Sequence, residues 1–223
     1  FVADRRAGRP WVTRLPFPVH VVASTEHVDF VSRTRFTSRY SYAHGYFDGE
    51  EREFRGFALV TQHDTEAFED YVAGTLHEDG GQDLAPEVYQ PPVTTRTWFH
   101  TGAYLGRAAI LHQLREEYYG STSDTPEPLL PAGMSEAETR ECLRALRGRP
   151  LRQEVYSFDD SAQADVPYSI VEYGHEVRRL QPHSGARHGV FSSHLRETLT
   201  QHRDRTVDAR VTHKLDLEVG PYG

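Results

Sequence analysis

Residues 39–66 read RYSYAHGYFDGEEREFRGFALVTQHDTE and carry the clearest structural pattern in this chain. Side chains of a strand alternate between its two faces. One face of the first segment therefore holds Phe36, Ser38, Tyr40 and Tyr42. A second alternating segment follows the turn and includes Phe54, Ala58 and Val60. Residues 44–49 contain two glycines that can take the positive φ of a hairpin connection. The pattern predicts two strands joined by a turn at residues 44–49.

The composition argues against several classes of protein. The net charge is −8, and all 25 basic residues except Lys214 are arginine. No sustained basic run outweighs the acids beside it, which argues against nucleic-acid binding. The nearest candidate is the group Arg5, Arg6, Arg9 and Arg14, which we expect to form a solvated N-terminal face. No apolar run approaches the ~18–20 residues that a bilayer span needs. On the usual count, apolar residues make up roughly 39% of the chain, which suits a thin, wet layer better than one deep core.

Patterns typical of strands recur along the rest of the chain. Because Pro10 and Pro16 flank them, residues 11–15 form at most a short edge strand. In the last predicted strand, Val211, His213 and Leu215 share one face. We expect that face to be covered and the other face to be exposed to solvent. Residues 78–92 are acidic and rich in Gly and Pro, which indicates a loop. The further predicted strands cover residues 19–24, 29–42, 94–99, 152–158, 168–180, 196–201 and 210–219.

Two helices are expected between the strands. The first covers about residues 105–119, and its apolar stripe is Ala108, Leu111, Leu114 and Tyr118. The second begins at a capping box formed by Ser135 and Glu138 and ends before Gly148 and Pro150. Its inner stripe is Thr139, Cys142, Leu143 and Leu146. Residues 121–131 read as an exposed connector.

The chain divides into three stretches that we expect to form one continuous structural unit. Residues 1–77 form an N-terminal β-hairpin region, residues 78–150 a loop and two-helix insertion, and residues 151–223 a C-terminal antiparallel β region. The chain starts at Phe1 and its single methionine is Met134. We therefore expect a processed product or, in preference, a piece of a longer polypeptide.

Thirteen histidines raise the question of a metal site. His112 and Glu116 lie four residues apart on the first helix, but two ligands do not make a site, and an exposed polar face is expected. A metal-dependent hydrolase is the least favoured alternative, because no zinc-binding motif such as HExxH occurs. Its candidate ligands are His183, His188 and His194. His213, on an apolar strand face, is expected to be partly buried with one hydrogen bond.

Other candidate chemistry is equally sparse. The GxSxG motif is absent, and Cys142 on the inner stripe of a helix is predicted to be a buried, inert thiol. The hairpin acids do not follow an EF-hand spacing. They are Asp48, Glu50, Glu51 and Glu53, and we expect them to be neutralised by Arg39, Arg52 and Arg55. With the turn centred near residues 46–47, Arg39 would lie opposite or diagonal to Glu53. We therefore expect no catalytic residue, metal or cofactor.

A binding module is the main alternative. Trp11, Trp98 and the tyrosines of the hairpin could form a stacking surface on the sheet. Such a module would recognise carbohydrate or a partner subunit.

The stretch SRYSYAHGYFDGEEREFRGFALVTQHDTE, residues 38–66, resembles the middle-to-C-terminal region of the B component of the tripartite Tc insecticidal toxin complexes. Further blocks match in the same order. They are RAGRPWVTRLPFPVHVV at 6–22, TRTWFHTGAYL at 95–105, LLPAGMSEAETRECLRALRGRPLRQEVYSFD at 129–159 and PYSIVEYGHEVRRLQPHSGARHGVFSSHLRETLTQHRD at 167–204. The resemblance covers nearly the whole chain.

The resemblance implies a container rather than an enzyme. In that family, the B component and an Rhs-type C component form a hollow β shell, related to Rhs/YD-repeat proteins, around the toxic part of the C component. A β-propeller of the B component docks onto a pore-forming A component. This chain is then expected to be mainly β, an antiparallel sheet of long amphipathic strands and hairpins forming part of a shell, with two short-to-medium α-helices. It would be a secreted, non-enzymatic segment that encloses and helps to deliver a cytotoxic polypeptide.

Overall fold

The computed structural model describes residues 1–29, 34–65, 92–120, 126–157, 163–183, 188–203 and 208–220. It contains one eight-stranded antiparallel sheet whose strands follow one another in chain order, so the predicted mainly β class is confirmed. The strands are β1 (Ser24–Asp29), β2 (Thr34–Asp48), β3 (Glu53–Thr65), β4 (Val93–Phe99), β5 (Pro150–Ser157), β6 (Ser169–Gln181), β7 (Val190–His202) and β8 (Arg210–Leu215). The helices within the described ranges are α1 (Val2–Arg6), α2 (Arg107–Glu116) and α3 (Glu136–Arg144). None of the described helices is long and apolar enough to cross a membrane.

The pairing register divides the sheet into two faces, because directly opposed residues of paired strands point the same way. One row across β2 to β8 consists of Ala43, Leu59, Trp98, Arg152, Glu172, Leu199 and His213. The neighbouring row consists of Tyr42, Val60, Thr97, Gln153, Val171, Thr200 and Thr212. We call the face of the first row the covered face and the face of the second row the open face.

The β2–β3 hairpin turns later than the sequence predicts. β2 continues through residues 44–48, and the turn lies at residues 49–52. The first glycine serves a close approach: a Cβ on Gly45 would lie 2.8 Å from Leu15 Cδ2. An irregularity in the pairing follows Gly45. The predicted proximity of Arg39 to Glu53 is therefore wrong, since Arg39 pairs with His63.

Three other strand predictions need correction. Residues 19–23 are not a strand, because the first pairing begins at Ser24. β7 starts at Val190 rather than at residue 196. β8 ends at Leu215 and is exposed on both faces, so the expected covered face is wrong. The physical reason is that β8 is an edge strand beyond the reach of the described helices. Residues 66–91 and 121–125 lie outside the described residues.

The helix α2 packs on the covered face and forms one half of the core. Ile110 and Leu114 are buried in the same cluster as Trp98. Tyr118, just beyond the helix, meets the Trp98 ring edge-on at 4.9 Å. The helix is shorter than predicted: it begins only after Gly106, whose φ of 71° is not helical, and it ends at Glu116.

The helix α3 forms the second half of the core and begins as predicted. Ser135 Oγ accepts the Glu138 amide, and the Glu138 carboxylate accepts the Ser135 amide at 3.0 Å. Backbone hydrogen bonds from Ser135 and His183 are the main reason that the pKa of Glu138 falls to about 2. The predicted inner stripe is confirmed on its apolar side, with Val177 of the sheet beneath Cys142, Leu143 and Leu146.

A buried ionic cluster anchors the end of α2 to the sheet. Arg152 donates from Nε to Glu154 at 2.7 Å and from Nη1 to Glu172 at 2.8 Å. Its Nη2 donates to the Tyr119 carbonyl at 2.9 Å, and the Tyr119 amide donates to Glu154 at 2.9 Å. Because Arg152 and both carboxylates are at most 2% exposed, every one of these partners must be in place.

We expect Arg152→Ala to destabilise the fold by about 3 to 5 kcal/mol, because it leaves two carboxylates buried without their cation. Urea denaturation would measure the loss. Arg115→Ala is the matched control: Arg115 pairs with Glu127 at 2.5 Å, but on the exposed side of α2. The control should cost about 1 kcal/mol or less. Equal losses for the two variants would contradict the assigned role of the cluster.

We expect Ser135→Ala to destabilise the fold by about 1 kcal/mol, because it removes the hydroxyl that caps α3. Ser192→Ala, on an exposed position of β7, should change stability by less than about 0.5 kcal/mol. If both variants shift the urea midpoint equally, the capping box does not contribute to the stability of the fold.

Candidate functional site

The open face is the broadest surface that the sheet presents. Its central side chains are half-buried, since neighbouring strands shield them on each side but neither α2 nor α3 packs over them. Burial raises the pKa of Tyr173, so this phenol stays neutral. None of the central side chains carries a formal charge. They are Tyr40, Tyr42, Val60, Gln62, Thr95, Thr97, Gln153, Val155, Val171, Tyr173, Thr198 and Thr200.

The centre of the covered face, in contrast, carries a cluster of charged side chains. On that face, Arg152 pairs with Glu154 and Glu172, and Arg96 stands over the Tyr156 ring at 5.2 Å. The Tyr156 hydroxyl donates to Glu154 at 2.5 Å, and burial is the main cause of its raised pKa. Sequence reasoning missed this cluster. The sequence feature that could have revealed the cluster is the series of charged and aromatic residues at positions 152, 154 and 156. They alternate along the strand face that is expected to be apolar.

The acidic hairpin tip is neutralised by arginines, which agrees with the prediction for Arg55. This side chain is fully buried and lies 2.9 Å from Asp48 Oδ2 and 3.0 Å from Glu51 Oε2. Its Nη1 also donates to the Gly102 carbonyl at 2.6 Å. Arg39 does not take part, because it lies farther along β2.

The helix α3 and the turn that follows it supply further cations to the hairpin tip, which the sequence did not reveal. Arg144 lies 3.1 Å from Glu51, Arg147 lies 2.5 Å from Glu53, and Arg140 pairs with Glu50. These acids are thus cross-links between the hairpin and the helical layer.

An open cleft of about 740 Å³ lies between the hairpin tip and α3 and includes two of the candidate metal ligands. The rings of His183 and His188 are stacked with centroids 6.4 Å apart, and His188 Nδ1 lies 2.8 Å from Glu141. His194 lies instead on β7, where its Nε2 is 3.3 Å from Glu176. Within the described ranges, no group of three or more His, Cys, Asp or Glu residues is placed to hold a metal ion.

The remaining titratable candidates have ordinary structural surroundings. His112 and Glu116 are 3.6 Å apart on the exposed side of α2, as expected. His213 makes the expected hydrogen bond, to Glu197 at 3.0 Å, but is about half exposed. Cys142 is fully buried, and burial raises the pKa of its thiol to about 11. The prediction of an inert thiol agrees with this environment.

The predicted aromatic stacking surface does not form. Trp98 is fully buried under α2, so its assignment to a binding surface is wrong. Trp11 is engaged within the N-terminal segment, where its Nε1 donates to Asp4 at 3.0 Å and its ring contacts Phe1. Of the proposed set, Tyr40 and Tyr42 lie on the open face.

Sequence reasoning also missed a buried histidine between β2 and the end of α2. His44 is 3% exposed and its Nε2 lies 2.8 Å from Glu117 Oε1. Both residues line a cleft of about 380 Å³ beside the N-terminal segment. The contact ties the last turn of α2 to the hairpin, and the residues are 73 positions apart in the chain, so no local pattern could indicate it.

Comparison with known families gives two matches. Residues 2–79 match the insecticide toxin TcdB middle/N-terminal region, and residues 141–223 match the insecticide toxin TcdB middle/C-terminal region. Among proteins of curated function, none matches the chain.

Several solved structures share the fold. The Tc holotoxin pore of Photorhabdus luminescens is 32% identical over 100% of this chain, with a TM-score of 0.78. TcdB2-TccC3 without its hypervariable C-terminal region is 31% identical over 100% of this chain, also with a TM-score of 0.78. The TcdB2-TccC3-Cdc42 structure is 33% identical over 92% of this chain, with a TM-score of 0.70.

This chain spans about a tenth of the length of those structures: 10%, 10% and 9%, respectively. The match therefore concerns one region of much longer chains. The matched ranges at both ends, the shared fold and the identity over the full chain agree with one another. The chain belongs to the insecticide toxin TcdB family, the B-component type of the Tc complexes that its sequence resembles, and corresponds to the middle region of that family.

Proposed function

We propose that this chain is a non-enzymatic wall segment of a shell that encloses a cytotoxic polypeptide and helps to deliver it outside the producing cell. The family already assigns the chain a structural role in a toxin complex. The proposed partners are the rest of the B component, the Rhs-type C component and the enclosed polypeptide, with indirect contact to a pore-forming A component. The solved TcdB2-TccC3 complexes support the pairing of B and C components.

The contrast between the two sheet faces is the observation that carries this proposal. The covered face binds the helical layer through a buried ionic cluster and two apolar clusters. The centre of the open face offers hydroxyl, amide and small apolar groups without a formal charge. Such a surface provides neither an ionic anchor nor a large apolar patch for a polypeptide. We infer that the open face lines the inside of the shell. The enclosed polypeptide would contact this face without binding tightly to it.

The predicted stretches 1–77, 78–150 and 151–223 are proposed to act as one continuous unit. A single sheet includes strands from each of the three stretches, which supports this view. A wall segment needs such continuity, because a hinge within it would open the enclosure.

Cysteine labelling of the assembled B–C particle would test the orientation of the sheet. We expect Thr97→Cys, at the centre of the open face, to react with a bulky maleimide in the unassembled protein and to be protected after assembly. The native Cys142 is buried and should stay unreactive in both states.

His112→Cys is the matched control, because His112 is exposed on α2, over the covered face. We expect this position to react in both states. If the open-face cysteine stays as reactive as the control after assembly, the open face does not line the shell. Reaction of both positions only before assembly would also contradict the proposal, since the helical layer would then be enclosed as well.

Metal analysis would test the absence of hydrolase activity. His183, His188 and His194 pair with different partners or lie on different elements, so we expect purified protein to contain far less than one zinc or manganese ion per chain. A stoichiometric metal that is lost in a His183→Ala, His188→Ala double variant would overturn the non-enzymatic interpretation. A His112→Ala variant serves as the control for nonspecific binding by exposed histidine.

A further inference from the structure

Residues 100–103, which we call the junction, join the helical layer to the sheet just after β4. The His100 amide donates to the Arg149 carbonyl at 2.8 Å, and the Gly148 amide donates to the His100 carbonyl at 2.8 Å. Gly102 has a φ of +68°, and a Cβ there would lie 3.0 Å from the Leu143 carbonyl oxygen. The junction therefore sits directly against the end of α3, and a change within it would be felt by that helix.

Two buried histidines lie at this point of contact. His100 and His175 are 6% and 2% exposed, and their rings meet edge-on with centroids 5.8 Å apart. His175 Nε2 lies 2.8 Å from the Pro150 carbonyl oxygen. A carbonyl can only accept, so Nε2 carries the proton. His175 thereby ties β6 to the first residue of β5, and His100 packs against the ring that makes this bond.

Among the described residues, the permanently charged side chains that act on the pair belong to two arginines. Arg107 at the start of α2 acts on His100, while Arg149 before β5 and the His194 ring on β7 act on His175. The neighbouring His175 ring acts on His100 in the same direction. Burial, with these neighbours, lowers the pKa of His100 to about 3. Burial also lowers the pKa of His175, although its hydrogen bonds with the backbone of Pro150 and His194 oppose the change.

The acids of the neighbouring elements have other partners. Glu176, beside His175 in β6, pairs with Arg178 and with His194. At the end of α3, Arg144 and Arg147 pair with the hairpin-tip acids. A proton added to the His100–His175 pair would therefore create a buried positive charge next to other positive charges. That arrangement is unstable unless the junction opens to water.

We propose that the His100–His175 pair is an acid-sensitive latch, which holds the helical layer on the sheet at neutral pH and releases it on acidification. The inference goes beyond the enclosing role and does not depend on what the shell contains. An exposed histidine has a pKa near 6.5, so the opened junction binds protons below that pH and the closed junction does not. The stabilisation is complete above about pH 6.5 and is lost progressively as the pH falls toward the lower value of the closed state.

Hydrogen exchange of the full-length protein at about pH 7.5 and about pH 5.5, corrected for the intrinsic pH dependence of exchange, would test the latch. We expect the opening equilibrium of the junction and α3 to rise about tenfold for each histidine that is protonated on opening. Peptides from the middle of β3 should show no comparable rise, because they lie outside the latch.

Substitutions identify the groups that respond. His100→Phe keeps a ring against His175, and His175→Gln keeps a side-chain donor toward Pro150, but neither new side chain titrates. In each single variant, we expect the acid-induced rise in the opening equilibrium to be about tenfold smaller than in the unmodified protein. In the double variant, most of this rise should be absent. His112→Gln removes an exposed histidine from α2 and should respond like the unmodified protein.

Several outcomes would overturn the latch. One is that, in the unmodified protein, the amides of the junction and of α3 exchange no faster at the lower pH. Another is an undiminished acid response in the double variant, which would assign the effect to other groups. If the double variant does not fold, the two single variants decide, because each must show a smaller response than His112→Gln.

Discussion

The burial of the Arg152 guanidinium is the constraint on which the rest of the structure depends. A cation without access to water requires its counter-charges and acceptors at fixed positions. Glu154 on the same strand, Glu172 on the next strand and the Tyr119 carbonyl beyond α2 meet that requirement. A shift of β6 by one residue would turn Glu172 to the other face of the sheet. The cluster therefore specifies both the strand register and the side on which α2 packs.

A second set of arginines gives the helical layer its position along the sheet. Arg55 connects the hairpin acids Asp48 and Glu51 to the Gly102 carbonyl of the junction. Arg144 of α3 also pairs with Glu51, at 3.1 Å, and with Glu53, at 3.4 Å. These charges are all used to hold two layers together on the covered face. The open face is left free of them at its centre, and that asymmetry is what suits a wall segment.

Features that depend on nearby residues were predictable. The capping box at Ser135 and Glu138 needs contacts between residues three positions apart, and it forms as expected. The strands β4, β5 and β6 follow the alternation of their own side chains. Predictions were wrong where one local sequence feature is compatible with two structures. Gly45 can serve a turn or a close approach, and only the position of Leu15 shows that the second applies.

The sequence by itself determined that the chain is an antiparallel β layer with two amphipathic helices, because side-chain periodicity and helix capping are local properties. The order of the matching sequence blocks along the chain also indicated the family. Tertiary structure alone decided which face the helices cover, that Trp98 lies in the core, and that His100 meets His175 in a cationic, dry environment. These outcomes depend on contacts between residues far apart in the chain. Burial, charge pairing and proton affinity follow from those contacts, and no alternation pattern encodes them.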